Sequence, residues 1–250
     1  MSPLRFIPAA LSLALCACAV SPEPLPVRLF PTARYAFFQS PRGGGHASGY
    51  AICIDALGRI VVAGSAEDRK GKIRVALWRF EDAGRLDTEF GDRGFAMAQA
   101  EGAGRVIEFS DDGSIRVTAF DGPAGPVSVR FDSRGGVSQE REVPDAKTPA
   151  APAPPFDFPL ENGALDYGVA ASARTGRVLR FAGFVKMNEA VRAALWGVKG
   201  SESRIRLLPG GDGGEDRAMA LAAYENGRLA AAGFSRGAGG KRRLAIWTVP

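Results

Sequence analysis

Three cysteines and a single histidine are all that this 250-residue chain offers to redox or metal chemistry. Cys16, Cys18 and Cys53 provide no disulfide framework of the kind that small secreted domains use, so the fold has to rely on a hydrophobic core. With His46 alone, most zinc sites are excluded, as is every Ser-His or Cys-His nucleophile that does not use it. Long stretches with apolar residues at helical spacing are hard to find, and beyond the N-terminus no apolar run is long enough to span a bilayer. Charge of one sign never accumulates either. The formal net charge is +5, basic residues are interleaved with acidic ones, and nucleic acid is not an expected partner.

Glycine and proline, by contrast, are plentiful and spread along the chain, which predicts many short strands joined by turns and an all-β class. The first residues read as an address. Met1 to Arg5 is short and basic, and Phe6 to Leu15 has the length of a signal-peptide core, so residues 1–19 are expected to be an export signal. Its end can be read in two ways: Ala17-Cys18-Ala19 as an A-x-A cleavage site, or Leu15-Cys16-Ala17-Cys18 as a lipobox with Cys18 as the lipidated residue. A Pro-containing tether follows, and residues 20–42 are expected to hold it together with a candidate closing strand.

Self-similarity dominates the rest. Residues 50–64 read YAICIDALGRIVVAG, residues 167–183 YGVAASARTGRVLRFAG and residues 217–233 RAMALAAYENGRLAAAG. After each comes a polar, basic stretch and then VALW, AALW or LAIW. The spacing from turn glycine to tryptophan, Gly58 to Trp78, Gly176 to Trp196 and Gly227 to Trp247, is 20 residues each time. A degenerate copy without tryptophan runs from Phe109 to Phe131. Units roughly 50 to 60 residues apart are the period of propellers and arrays. The chain therefore divides into units 1 and 2 over 43–142, a Pro/Ala-rich connector over 143–161, and units 3 and 4 over 162–250. The near-continuous apolar second strand, such as Ile60-Val61-Val62-Ala63, suits an inner strand covered on both faces.

The run GRIVVAGS, ALWRF and AGRLDTEFGDRGF over residues 58–95 resembles the bacterial delta-60 repeat family, whose units carry a D-G-K-I-V-V-A-G strand and a G-S-L-D-x-x-F-G closing segment. The resemblance is strongest in unit 1, and only that unit keeps Leu86-Asp87-x-x-Phe90-Gly91. It implies four propeller-like units, as a four-bladed or incomplete β-propeller, in a surface or secreted protein. It implies no catalytic residues and no cofactor.

Candidate chemistry is sparse. Gly210-Gly211-Asp212-Gly213-Gly214-Glu215-Asp216 has the carboxylates of a calcium loop but not EF-hand spacing, and a turn-capping Asp216 is the simpler reading. Asp87 and Glu89 are expected on one face of a strand, with Asp87 in a structural role. Trp78, Trp196 and Trp247 recur at one position, which fits packing between units better than sugar stacking. Because the last unit stops after its third strand, Val27 to Phe30 or Tyr35 to Phe38 is expected to supply a fourth. Loops between second and third strands carry Arg69, Lys70 and Lys72 in unit 1, Lys186 and Arg192 in unit 3, and Arg236, Lys241, Arg242 and Arg243 in unit 4. Equivalent loops of a propeller emerge on one face, so these residues are expected to form a basic rim. The expected partner is an envelope protein, a polysaccharide or a lipid headgroup, with membrane contact by the lipid anchor only. The alternative is an extracellular enzyme acting on glycans through carboxylates in a central channel.

Overall fold

The computed structural model describes residues 27–29, 33–41, 45–81, 85–143, 146–147, 164–175, 178–187, 189–199, 202–211, 214–237 and 239–250. The export signal with Cys18, the tether up to residue 26 and most of the Pro/Ala-rich connector lie outside them. The described chain is all-β, with no helix.

Four antiparallel meanders of four strands account for nearly all of it. Unit 1 is β3 (Ala47–Ile54), β4 (Ile60–Glu67), β5 (Ile73–Phe80) and β6 (Phe95–Glu101). Unit 2 is β7 (Ala103–Phe109), β8 (Ile115–Phe120), β9 (Val127–Phe131) and β10 (Val137–Glu142). Unit 3 is β11 (Ala164–Thr175), β12 (Val178–Met187), β13 (Ala190–Lys199) and β14 (Glu202–Leu207). Unit 4 has only β15 (Glu215–Ala223), β16 (Leu229–Arg236) and β17 (Arg242–Val249) in sequence, and its fourth strand is β2 (Arg34–Phe38). There Tyr35 opposes Trp247 and Phe38 opposes Leu244. The other apolar N-terminal segment, β1 (Val27–Leu29), runs parallel to β14 instead. One parallel bridge between Val191 of β13 and Glu215 of β15 joins units 3 and 4, with β1 at the edge of unit 3, into a nine-stranded sheet. No sheet closes on itself.

One sequence expectation changes here. The segment around Leu86 to Gly91 is a turn carrying isolated bridges, so Asp87 and Glu89 do not share a strand face. The fourth strand of unit 1 is β6, whose sequence FAMAQAE shows no repeat signature.

Side-chain alternation explains the spatial order of the units. Ile60 and Val62 of β4, with Trp78 and Phe80 of β5, pack into one cluster with Ala230, Ala232, Leu244 and Ile246 of unit 4. The intervening residues Val61, Ala63, Val75 and Leu77 point to the opposite face, against Ile115, Val117, Val129 and Phe131 of unit 2. On its far side unit 4 presents Leu229, Ala231, Trp247 and Val249 to Ala182, Ala193 and Leu195 of unit 3. The spatial order is therefore 3, 4, 1, 2, with β2 paired to β17 in unit 4 beside unit 1. Extensive packing between units 2 and 3, among the described residues, is absent. Each fully buried large apolar side chain in these layers contributes roughly 1.5–3 kcal/mol, and Trp78, Trp196 and Trp247 are all essentially inaccessible.

Unit 2 departs from the repeat on its outward side for a physical reason. Its outer face carries Arg116, Thr118, Ser128 and Arg130 where unit 1 carries Val61, Ala63, Leu77 and Arg79, and β10 is exposed throughout. A stack of repeats needs a polar terminal face, and the degeneracy of unit 2 provides one.

The A-G step that ends each VVAG-like strand has a steric origin. The first strand of each unit bulges, between Gly49 and Ala51 in unit 1 and between Ala218 and Ala220 in unit 4. This drives its backbone onto the second strand, so that a Cβ at Gly64 would lie 1.9 Å from the Ser48 carbonyl oxygen, and one at Gly233 1.9 Å from that of Arg217. Gly64→Ala is expected to cost about 3 kcal/mol or more in urea unfolding. Gly239→Ala, where nothing stands within 4 Å, is expected to stay within about 0.5 kcal/mol of wild type.

Candidate functional site

The loops between second and third strands meet their neighbours through a junction that repeats three times. Counting back four residues from each tryptophan gives Arg74, Arg192 and Arg243. Beside each of them, the next unit's first strand begins. Where unit 1 passes into unit 2, the Gly102 amide donates to the Ile73 carbonyl at 3.2 Å, while Glu101, the last residue of unit 1, pairs with Lys72 at 2.7 Å and with Arg74 at 3.7 Å. Between units 3 and 4, the Val191 amide donates to the Gly214 carbonyl at 2.8 Å, and Arg192 pairs with the buried Asp216 at 3.2 Å. Between units 4 and 1, the Arg242 amide donates to His46 Nδ1 at 3.1 Å, and the His46 amide donates to the Glu67 carboxylate at 3.0 Å. These contacts bring the three loops to the same end of the strands.

The basic residues there divide by environment. Arg69 and Lys70 are exposed on the turn between β4 and β5, and Lys186 is exposed near the end of β12. Lys72 is held by Glu101, Arg192 by Asp216, and Arg236 by Glu215 at 2.7 Å. Lys241 is exposed, whereas Arg242 lies over the Phe234 ring at 4.4 Å and Arg243 over the Phe37 ring at 4.9 Å. Glu67, Asp68, Glu101, Glu215 and Asp216 thus neutralise much of the rim. Its uncompensated charge concentrates at Arg69, Lys70 and Lys186, none of which pairs with a carboxylate among the described residues.

Beside the unit 1 loop lies a cavity of about 430 Å³, lined among others by Arg69, Lys70, Arg74, Asp68 and Gln99. Asp68 organises it. One carboxylate oxygen accepts the Lys70 and Lys72 amides at 2.8 and 2.9 Å, and the other accepts Arg74 Nε at 3.0 Å. The Lys72 amide foremost, with Arg74 and the Lys70 amide, holds the Asp68 carboxyl below its usual range. The Lys72 ammonium does the same for Glu101. Arg74 also donates to the Gln99 carbonyl, so its guanidinium is fixed, while Arg69 and Lys70 extend from a rigid turn.

Other candidates take structural places. The thiol of Cys53 is half-buried and pushed up by desolvation, which suppresses the thiolate. Asp216 Oδ1 accepts the Gly211 amide at 3.2 Å while Oδ2 meets Arg192. The glycines of that loop let the backbone approach this pair, since a Cβ at Gly210 would lie 2.2 Å from Asp216. Among the described residues no group of three metal-ligating side chains occurs. Asp87 is buried and pairs with Arg79 Nε at 2.8 Å; Arg79 in turn lies over Phe90 at 4.4 Å and donates to the Ser133 carbonyl at 2.8 Å, locking unit 2 onto unit 1. Glu89 is exposed. Trp247 Nε1 donates to the Pro209 carbonyl at 2.7 Å. The tryptophans are interior packing groups rather than a sugar platform.

The rim residue that motif reading misses is Arg74. The signal was present in the tryptophan frame, because Arg74 occupies the place of Arg192 and Arg243. The acidic partners Glu101 and Glu215 had no such signal, since each comes from another strand of the same unit, 29 and 21 residues away in sequence.

No protein-family model matches the chain, and no curated protein does. Among solved structures, the chain is similar to a putative exo-β-1,3-galactanase from Bifidobacterium bifidum at 12% identity and a TM-score of 0.30, covering 89% of this chain and 85% of that one. A glucose dehydrogenase is similar at 12% identity and a TM-score of 0.31, covering 84% of each chain. The RS223 β-xylosidase is similar at 9% identity and a TM-score of 0.26, covering 78% of this chain and 68% of that one. At these TM-scores the likenesses carry no argument about activity.

Proposed function

We propose that the protein is a non-catalytic binding scaffold of the cell envelope, a propeller-like arc of four units held at the membrane through Cys18 and binding anionic envelope material with its rim. The observation that carries this reading is the cavity beside the 68–72 turn, where exposed Arg69 and Lys70 stand next to a guanidinium fixed by Asp68 and Gln99. Loops set on a rigid strand scaffold are where such folds place function. Cations on a surface turn attract phosphates and acidic saccharides through a field that falls off over about 10 Å at 0.1 M salt. The stacked Arg242 and Arg243 belong to the packing of unit 4 as well, so Ser at those positions would also disturb the fold.

The triple variant Arg69→Ser, Lys70→Ser, Lys186→Ser separates the two roles. In co-sedimentation with vesicles containing lipopolysaccharide at low salt, it is expected to bind roughly tenfold more weakly than wild type. Its thermal midpoint should be nearly unchanged, because none of the three contributes packing. Undiminished binding by this variant would refute the rim assignment.

The anchor is tested separately. Cys18→Ser is expected to lose label from radioactive palmitate and to leave the membrane fraction. Retained fractionation with membranes would remove Cys18 from the proposal.

A further inference from the structure

Opposite the rim, at the other end of the strands, unit 3 gathers three arginines. Strand pairing places Arg180 of β12, Gly197 of β13 and Arg204 of β14 in one row, with Arg206 two residues further along β14 on the same face. Gly197 leaves the space that Arg180 fills: a Cβ at 197 would stand 2.4 Å from an Arg180 Nη. The three side chains, with Leu229 and Pro250 of unit 4, line a cavity of about 180 Å³ between the two units.

The equivalent level of unit 1 shows what is unusual. There Arg79 occupies the position of Gly197, and Asp87 supplies its countercharge. Arg130 holds the same position in unit 2 and pairs with Asp112 at 2.5 Å. In unit 3 only two residues separate β13 from β14, so the closing segment that carries Asp87 is absent, and β14 brings Arg204 and Arg206 to this face. No carboxylate among the described residues pairs with Arg180 or Arg204. The Arg180 Nε is buried without a hydrogen-bond partner. Burial and the nearby charge of Arg206 both pull the Arg180 guanidinium below its ordinary value.

A buried donor left unsatisfied, beside like charges, is destabilising in the empty protein. Such an arrangement becomes favourable when an oxyanion occupies it, because guanidinium forks match tetrahedral oxygens with short charge-assisted hydrogen bonds. We propose that Arg180, Arg204 and Arg206 form a binding site for a phosphate group, either inorganic phosphate or the phosphate of a lipid or saccharide headgroup. The site is independent of the basic rim, so either can fail alone.

The test is thermal unfolding and titration calorimetry of the full chain with inorganic phosphate, against chloride at equal ionic strength. Saturating phosphate is expected to raise the midpoint by roughly 3 °C or more beyond the chloride effect. Arg180→Met should raise the midpoint of the phosphate-free protein by about 2 °C, since it removes an unsatisfied buried donor and a repulsion. It should also abolish the phosphate-dependent shift. Arg204→Met, an exposed position whose replacement leaves folding intact, should weaken phosphate binding about tenfold. Vesicles containing phosphatidic acid form a second arm. Binding lost in Arg204→Met there assigns the site to a headgroup, while a response to inorganic phosphate alone assigns it to a free anion. A phosphate effect no larger than that of chloride, or one fully retained in both variants, would overturn the proposal.

Discussion

The second strands of the two central units, β4 of unit 1 and β16 of unit 4, are covered on both faces, and the arrangement of the chain follows from that double coverage. β4 sends Ile60 and Val62 toward unit 4 and Val61 and Ala63 toward unit 2, so no side chain between Ile60 and Ala66 reaches solvent appreciably. β16 does the same with smaller groups, Ala230 and Ala232 on one face and Leu229 and Ala231 on the other. The alanines and glycines let successive sheets approach closely, and the tryptophans fill the space that remains. An interior packed this tightly tolerates neither an added methyl nor a lost one without strain or a cavity.

Double coverage creates a problem at the ends of the stack, and the chain resolves one end by composition. Unit 2 turns a polar face outward, with Arg130 held by Asp112 and Ser114, and its last strand VSQERE carries charges along an edge that would otherwise invite pairing. At the centre, where unit 4 would expose β17, β2 pairs with it and ties the N-terminal side of the chain to its C-terminal side. The loops add electrostatic pins within the units and, through Arg192 and Asp216, between units 3 and 4. Most are partly solvated and contribute modestly, but Arg79 with Asp87 is buried, and removing one partner of such a pair costs about 3–5 kcal/mol.

Much of this was legible in sequence because its causes are local. Strands of unbroken apolar residues, glycines at turns and the fixed spacing to tryptophan are short-range signals, and so is the apolar character of Tyr35 to Phe38, one of two segments expected to supply the missing strand. What was not legible depends on residues distant in sequence. The fourth strands FAMAQAE, VSQERE and ESRIRL share no pattern, since each is shaped by what covers it. The basic rim could be listed from its loops, but the carboxylates that neutralise it could not, because Glu101 and Glu215 reach it from other strands of the sheet that are distant in sequence. Arg180 gave no signal either. Its meaning comes from Gly197 beside it and from the acid that Asp87 supplies in unit 1 and nothing described supplies in unit 3.

Units 4 and 1 share one continuous core through β16 and β4, and the rest of the stack is built on it. Native-state hydrogen exchange of the full chain, read by peptide mass spectrometry, tests this. Peptides spanning Ile60–Glu67 and Leu229–Arg236 are expected to exchange together and slowest, through global unfolding, and Val137–Glu142 to exchange fastest among the strands of units 1, 2 and 4. Independent exchange of the two inner strands, or protection of residues 137–142 equal to theirs, would contradict the shared core.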